Sequence, residues 1–421
     1  MVSSMVNTTS PKRRKPVMST SLLYHGFGVV GYKYVNTRYD KGAVIFTLNV
    51  NPLHLRCSAC GSRKLMRRGT VDRCFHSLPI GRKAVKLELP VQRVYCLSCG
   101  LLRQAKLGFA KPRRSYTKAF ERYALELSKC MTIKDTARHL GVGWDVIKDI
   151  QKRYLKKRFS KPRLRHLSHI AIDEISIGKG HRYLTVVLNL YSGAVVFVGK
   201  GKGADALVPF WKRLRSSRAK IKAVAIDMSP AYIKALKSNL RKSAIVFDHF
   251  HIIKLFNEKL SKLRRKLYHD IKDTQGKRVI KGTRWLLLKN PENLDPARNE
   301  AQRLQQALEF NKPLAAAYYM KEELRQLWKQ ADKERAEAFL NSWIARAKAS
   351  GCSMLKRFAK TLIKHKEGIL AYYDYRISTG PLEGTNNKIK TLQKQAYGYR
   401  DSEFFTLKIM ALHETKYALV G

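Results

Sequence analysis

Two stretches decide the fold: His169-Ile-Ala-Ile-Asp173-Glu174 and, further along, Lys222-Ala-Val-Ala-Ile-Asp227-Met-Ser229. Each is a short run of Ile, Val and Ala that meets a carboxylate. Runs this short, rich in β-branched residues, read as buried strands and not as helices. Between them lie two more strand-like runs, Tyr183–Leu190 and Ala194–Val198, joined by the turn signal Tyr191-Ser192-Gly193. A helical run over Ala204–Leu214 leads to the second acid, and a helix at Pro230–Leu240 and a strand at Ala244–Phe247 follow it. Three strands, helix, strand, helix, strand is an order that suits a mixed α/β sheet with helices packed on it. A carboxylate at the end of a buried strand is costly to desolvate unless it is paired or binds metal. Either acid alone reads as a solvated strand end or a helix cap. Together, on strands able to be neighbours, Asp173 and Asp227 point to a shared divalent cation.

Composition sharpens that reading. The chain has 421 residues, with 84 Lys and Arg against 31 Asp and Glu, for a formal charge of +53. A charge this large opposes compaction and calls for a polyanionic partner. Nucleic acid is the expected one, since each phosphate neutralised releases counterions. A membrane partner is not expected: no apolar run is long enough to span a bilayer, and no basic amphipathic anchor stands out. The start, Met1–Pro16, lacks the apolar core of a signal peptide. Residues 1–20, with Lys12-Arg13-Arg14-Lys15, read as a disordered basic tail. Residues 21–50 read as short strands around Gly26, Gly28 and Gly31.

Of the seven cysteines, four form two knuckles, Cys57-Ser-Ala-Cys60-Gly61 and Cys96-Leu-Ser-Cys99-Gly100. Matched pairs of this kind are the mark of a four-cysteine zinc site in a reducing compartment, with each glycine turning backbone amides toward the thiolates. The alternating sequence between them, including Lys86-Leu87-Glu88-Leu89, implies a zinc ribbon with a long hairpin. Cys74 and His76 lie within the gap, but the two pairs already complete a tetrahedron. Cys130 reads as a core residue.

Thr132–Lys148 has helix-turn-helix form. Ala137 is the small residue at the helix contact, Gly141 the turn and Trp144–Tyr154 the recognition helix, with Lys148 and Lys152 expected to contact DNA. A basic linker follows, from Lys156 to Arg165. Past the sheet, Asp248, His249 and His251 sit where a strand feeds a helix; they line a metal site or cap that helix, and both readings stand. Residues 252–375 read as helical and as an insertion in the α/β unit, with Trp285, Trp328 and Trp343 expected in its core. The last motif is Glu383-Gly-Thr-Asn-Asn387-Lys-Ile-Lys390, on a helix opened by Pro381. Glu383, Asn387, Lys390 and Lys394 recur at steps of four, three and four, which puts them on one face. That face suits a metal and adjoining phosphates, or is an ordinary solvated stripe.

Taken together, the knuckles, the helix-turn-helix and the motifs Ile-Asp-Glu-Ile-Ser, Ala-Ile-Asp-Met-Ser, Phe-Asp-His-Phe-His and Glu-Gly-Thr-Asn-Asn-Lys-Ile-Lys resemble the ISL-three family of bacterial insertion-sequence transposases, from about Cys57 to the C-terminus. The resemblance implies an RNase H-like catalytic domain, a DDE triad of Asp173, Asp227 and Glu383, Mg²⁺ (or Mn²⁺) as its cofactor beside the zinc, and a helical block that splits the catalytic domain. It also implies work on DNA in the bacterial cytoplasm, at the nucleoid, as a homodimer or higher oligomer. The expected organisation is a tail over 1–20, a zinc-ribbon region over 21–114 and a helix-turn-helix with linker over 115–165. Catalytic segments over 166–260 and 376–421 then flank an insertion over 261–375. Two rivals use the same parts: a DNA-binding regulator with an inactive catalytic domain, and a metal-dependent nuclease that cuts without joining.

Overall fold

A computed structural model describes residues 21–413; the N-terminal basic tail read from the sequence lies outside them. The chain forms two compact units that divide at Tyr154 and Leu155. Among the described residues no helix is long and apolar enough to cross a membrane.

The first unit is built on a five-stranded sheet. Its strands are β1 (Tyr32–Asp40), β2 (Ala43–Val50), β3 (Leu65–Ile80), β4 (Lys83–Cys96) and β5 (Leu102–Gln104), in the order β1-β2-β4-β3 with β5 on β4. Residues 21–50 differ from the short strands expected. A helix, Leu22–His25, comes first, and the strands begin after Gly31 and run long, because Lys41 and Gly42 both take positive φ and close a two-residue hairpin. The long hairpin anticipated between the cysteine knuckles is β3 and β4, paired from Leu65↔Cys96 to Ile80↔Lys83. One apolar cluster, centred on Leu48, Phe75, Val85 and Leu87, packs against this sheet.

A second cluster, with Phe120, Ala124, Ala137, Leu140, Ile147 and Ile150, joins helices Lys118–Leu127, Ile133–Leu140 and Trp144–Phe159. Thr132 caps the middle helix by accepting the Asp135 N–H at 3.1 Å, and Gly141 ends it at φ +64°. Ala137 is buried at the contact, as its size suggests. Cys130 is exposed and not a core residue, because the preceding helix ends at Leu127 and the thiol falls in the turn after it.

The second unit holds the sheet read from the sequence. β6 (His169–Gly178), β7 (Arg182–Asn189), β8 (Val195–Lys200), β9 (Ala223–Ile226) and β10 (Ala244–Phe247) lie in the order β10-β9-β6-β7-β8. β6, β7 and β8 are antiparallel neighbours, while β9 runs parallel to both β6 and β10. Helices Val208–Ser216 and Pro230–Asn239 complete the crossovers. Next come the long helix His249–Asp270 and a helical block that ends with Ser353–Leu370 and Tyr372–Tyr375. The last helices are Gly380–Gln395 and Ser402–Ala411. The block does not fold apart from the sheet. Ile172, Val224 and Phe247 of the strands share one apolar cluster with Leu287, Leu304, Trp343 and Phe358 of the helices. Trp343 is fully buried, its indole N–H donating to the Met320 carbonyl at 2.9 Å, and Trp328 packs at the edge of the cluster. Trp285 departs from expectation: it is 65% exposed, since Leu286 and Leu287 take the inward face of its short helix.

Gly368 marks a tight join between block and sheet. A β-carbon there would lie 2.5 Å from the Phe247 ring and 3.1 Å from the Ile245 carbonyl oxygen. In an open helix Gly→Ala stabilises by about 0.5–1 kcal/mol. At this position the sign is expected to reverse: Gly368→Ala should lose about 1–3 kcal/mol through overpacking, seen as a lower urea midpoint at unchanged slope. A raised midpoint would show that β10 yields without strain.

Candidate functional site

A cleft opens where β9 stops short. Pairing between β6 and β9 ends at Ala171↔Ala225, and β9 itself ends at Ile226. β6 continues to Gly178 along β7, so Asp173 lies within the strand, opposite Val186, and not at its end as read from the sequence. The pairing holds past the acid through Ile175↔Leu184 and Ser176↔Tyr183, and the register shifts only between Ser176 and Gly178. Asp227 follows β9 directly, and its carboxylate accepts the Ser229 N–H at 3.0 Å in the loop before the next helix. The helix Gly380–Gln395 lies across this opening. Its Asn386 amide donates to Asp173 at 2.9 Å, and Gln393 donates to the Ile177 carbonyl at 2.6 Å. The resulting cleft, about 310 Å³, is lined by Asp173, Asp227 and Glu383 together with His251, Asn386, Asn387 and Lys390. Lys394 is exposed further along the same helix.

The carboxylates differ in setting. Burial pushes Asp173 up to about 6, against the pull of the Glu174 N–H and of His251, and Asp227 adds to the rise. Glu383 is exposed and, among the described residues, its side chain has no hydrogen-bond or ion-pair partner, so it is free to swing. Glu174 points the other way along the strand, where it adds to the rise that burial produces in the Tyr232 phenol, though it also reaches the cleft rim. The three acids stand further apart than metal-ligating atoms do; among the described residues only the four cysteines are drawn together that closely.

Asp248 does not line the cleft. It is 3% exposed and sits behind it, accepting the Thr379 hydroxyl at 2.5 Å and facing the His251 imidazole at 3.3 Å. Burial alone would raise its pKa, but the hydrogen bonds from His251 and Thr379 outweigh burial and hold it low. The same bond raises His251 above its ordinary value. Of the two histidines only His251 lines the cleft; His249 meets Asp248 at 3.4 Å and packs its ring near Trp328 and Tyr372. The sequence does not single out Asn386 or Gln393, and it offers Thr379 only as a helix cap, whereas its hydroxyl donates to Asp248 and not to the helix. The exposed stripe through Asn387 was visible in the spacing, but which of two adjacent asparagines is buried depends on how the helix docks.

In the first unit, Cys57, Cys60, Cys96 and Cys99 place their sulfurs within 4.8 Å of one another. Gly61 and Gly100 take φ of +77° and +67°, which turns each knuckle back on itself. Backbone N–H groups of Cys60 and Ala59 bring the Cys57 thiol down to about 6. Cys74 and His76 lie along β3, opposite Glu88 and Lys86, and do not join the cluster. The third helix of the helix-turn-helix presents Lys148 and Lys152, both half-buried, with the Lys148 ammonium 5.8 Å from the exposed Trp144 ring.

Comparison with known proteins bears on the whole of this arrangement. A family model described as a transposase matches residues 170–409, and another, the helix-turn-helix domain of transposase family ISL3, matches residues 105–155. The chain is 34% identical over 358 residues to the transposase for insertion sequence element IS1001 of Bordetella parapertussis, across 84% of this chain and 88% of that protein. It is 28% identical over 375 residues to the transposase for insertion sequence element IS1557 of Mycobacterium tuberculosis, across 83% of each. Among solved structures, the Drosophila P element transposase strand transfer complex is similar with a TM-score of 0.38 and 10% identity, across 71% of this chain and 92% of that one. The transposase model spans the sheet, the cleft and the closing helix, and the IS1001 relative runs along most of the chain: this protein belongs to the ISL3 family of insertion-sequence transposases.

Proposed function

We propose that this transposase cleaves DNA at the ends of its element and joins the freed strand to target DNA, with Asp173, Asp227 and Glu383 as its catalytic carboxylates. One observation carries the reading: three acids from three distant segments line a single cleft in a chain of formal charge +53. The strand order, three antiparallel strands followed by two parallel ones on the far side of β6, supports the RNase H-like assignment. In the first step a water oxygen attacks the phosphorus at the element's end and the 3′-oxygen departs as a hydroxyl; in the second that 3′-hydroxyl attacks a phosphorus of the target, its proton is lost to solvent, and the target's own 3′-oxygen departs as the leaving group. Asp173, Asp227 and Glu383 would hold Mg²⁺ (or Mn²⁺), which would supply Lewis acidity for both displacements. Asn386 holds Asp173 in place, the exposed Glu383 has the freedom to close the set, and Asn387, Lys390 and Lys394 on the same helix face hold phosphate oxygens. A homodimer or larger assembly on DNA would bring two element ends together.

Each of Asp173→Asn, Asp227→Asn and Glu383→Gln is expected to retain folding and DNA binding while losing both cleavage and strand transfer by a factor of roughly 10³ or more. Glu174→Gln should lose far less. An assay with labelled element ends and a target plasmid reads both steps, and also separates a transposase from a nuclease that never joins. Normal cleavage by Glu383→Gln would remove the third assignment.

The four thiolates fit one zinc ion: four donors, matched knuckles and one thiol already low in pKa. Metal analysis should find about one zinc per chain, and Cys57→Ser should unfold the knuckle end of the hairpin. A metal-free protein with this end intact would end the assignment.

In the same reading, the helix Trp144–Phe159 enters the major groove at the element's end. Replacing Lys148 and Lys152 by alanine together is expected to weaken binding to element ends about tenfold or more, near 1.4 kcal/mol, with a shallower salt dependence. Unchanged end selection by that variant would locate recognition elsewhere.

A further inference from the structure

The helix His249–Asp270 carries a second hollow, of about 480 Å³, on the side leading away from the cleft. Phe250 and Lys254 line both hollows, so the two adjoin. From there Lys254, Glu258, Lys262 and Arg265 recur at steps of four, four and three, along one face of the helix. Arg284, from the neighbouring short helix, forms the opposite wall with its guanidinium 4.7 Å over the exposed ring of Trp285. The hollow thus gathers four cations against one carboxylate. Among the described residues, Lys254, Lys262, Arg265 and Arg284 make no ion pair with any acid. Their mutual repulsion is felt nearby: Arg264, lowered chiefly by burial, is pushed down further by Arg284 and Arg265.

Cations held together at a surface without counter-charges are a binding site for an extended anion. Lys254 to Arg265 spans eleven helical residues, about 17 Å. That is roughly the axial length of five nucleotides of one duplex strand, at about 3.4 Å each. The hollow begins at the cleft, which fixes what the anion must be connected to. We propose that this groove binds the sugar-phosphate backbone of the DNA segment flanking the phosphodiester held in the cleft, with Lys262, Arg265 and Arg284 contacting successive phosphates. This rests on the reading of the cleft as the site of DNA cleavage. The contacts are made to the backbone, so the groove binds without regard to sequence and serves element and target DNA alike.

The test uses the full chain carrying Lys262→Glu, Arg265→Glu and Arg284→Glu together, with a random-sequence duplex of roughly 30 base pairs as the probe, its affinity measured over a series of salt concentrations. The slope of log K against log salt is expected to become shallower by about 2–3, at about 0.9 for each phosphate no longer neutralised, with binding roughly tenfold weaker or more at physiological salt. Lys262→Arg with Arg265→Lys should keep the wild-type slope. If the triple variant melts early, Lys262→Ala and Arg265→Ala, each at an exposed position, replace it; each should then lower the slope by about 0.9. An unchanged slope in folded variants overturns the groove. So does an unchanged slope with a change in the oligomeric state, which would assign the groove to contact between copies of the chain. Cleavage by the wild type on element ends is measured in parallel. If it fails, the reading of the cleft falls and the slope still decides whether the groove binds DNA. If it succeeds while the slope does not move, the groove inference alone falls.

Discussion

The hydrogen bond from Asn386 to Asp173 joins residues 213 positions apart, and the cleft depends on it. Two further ties act with it. Thr379 holds the start of the same helix to Asp248, and Gln393 holds its far end to the Ile177 carbonyl. Two of the three ties are to carboxylates, at about 1.5–3 kcal/mol each, and the third, to a carbonyl, contributes about 0.5–1.5 kcal/mol; together they hold the helix at both ends and the middle. Separation in sequence opposes this only weakly, because the entropy of closing a loop grows with the logarithm of its length. The helical block lowers that barrier further by sharing its core with the strands, so the chain is already back at the sheet when the final helix begins.

Electrostatics shape the same place. A chain with this excess of cations draws in polyanions, yet three of its acids from distant segments, Asp173, Asp227 and Glu383, line one cleft. Asp173 is costly to ionise there because it is buried, and Asp227 beside it adds to the cost. His251 offsets part of this, and its own charged form is favoured by the buried Asp248. The cleft thus holds a graded set of charges: acids in front, a histidine between, and a carboxylate behind that never reaches the surface.

Much of this was legible in the sequence. Short runs rich in Ile and Val, too short for a helix and β-branched, favour buried strands, and the order of the mixed sheet and its crossovers followed from them. Paired knuckles with glycine, and a glycine three residues before a helix, are local signals with local causes, and Gly61, Gly100 and Gly141 all take the positive φ those signals require. What was not legible depended on neighbours far away. Asp173 looked like a strand end because an acid breaks an apolar run, whereas β7 carries the pairing onward. Trp285 looked like core because tryptophan usually is, but two leucines beside it occupy the inward face. Asn386 and Asn387 are chemically identical, and only the docking of their helix separates the one that orients an acid from the one that faces the open cleft.

The early stop of β9 has a consequence beyond making room for a cleft. Past Ala171 one side of β6 has no strand beside it, and a bare strand edge is a template on which other chains stack and aggregate. Most proteins blunt such edges with proline, charge or a bulge. Here the helix Gly380–Gln395 covers the edge, and Gln393 occupies one of its open carbonyls. The element that brings Glu383 to the cleft therefore also guards the folded chain against edge-to-edge stacking. Loss of that helix would expose a sticky seam at the same moment that it removed Glu383 from the cleft.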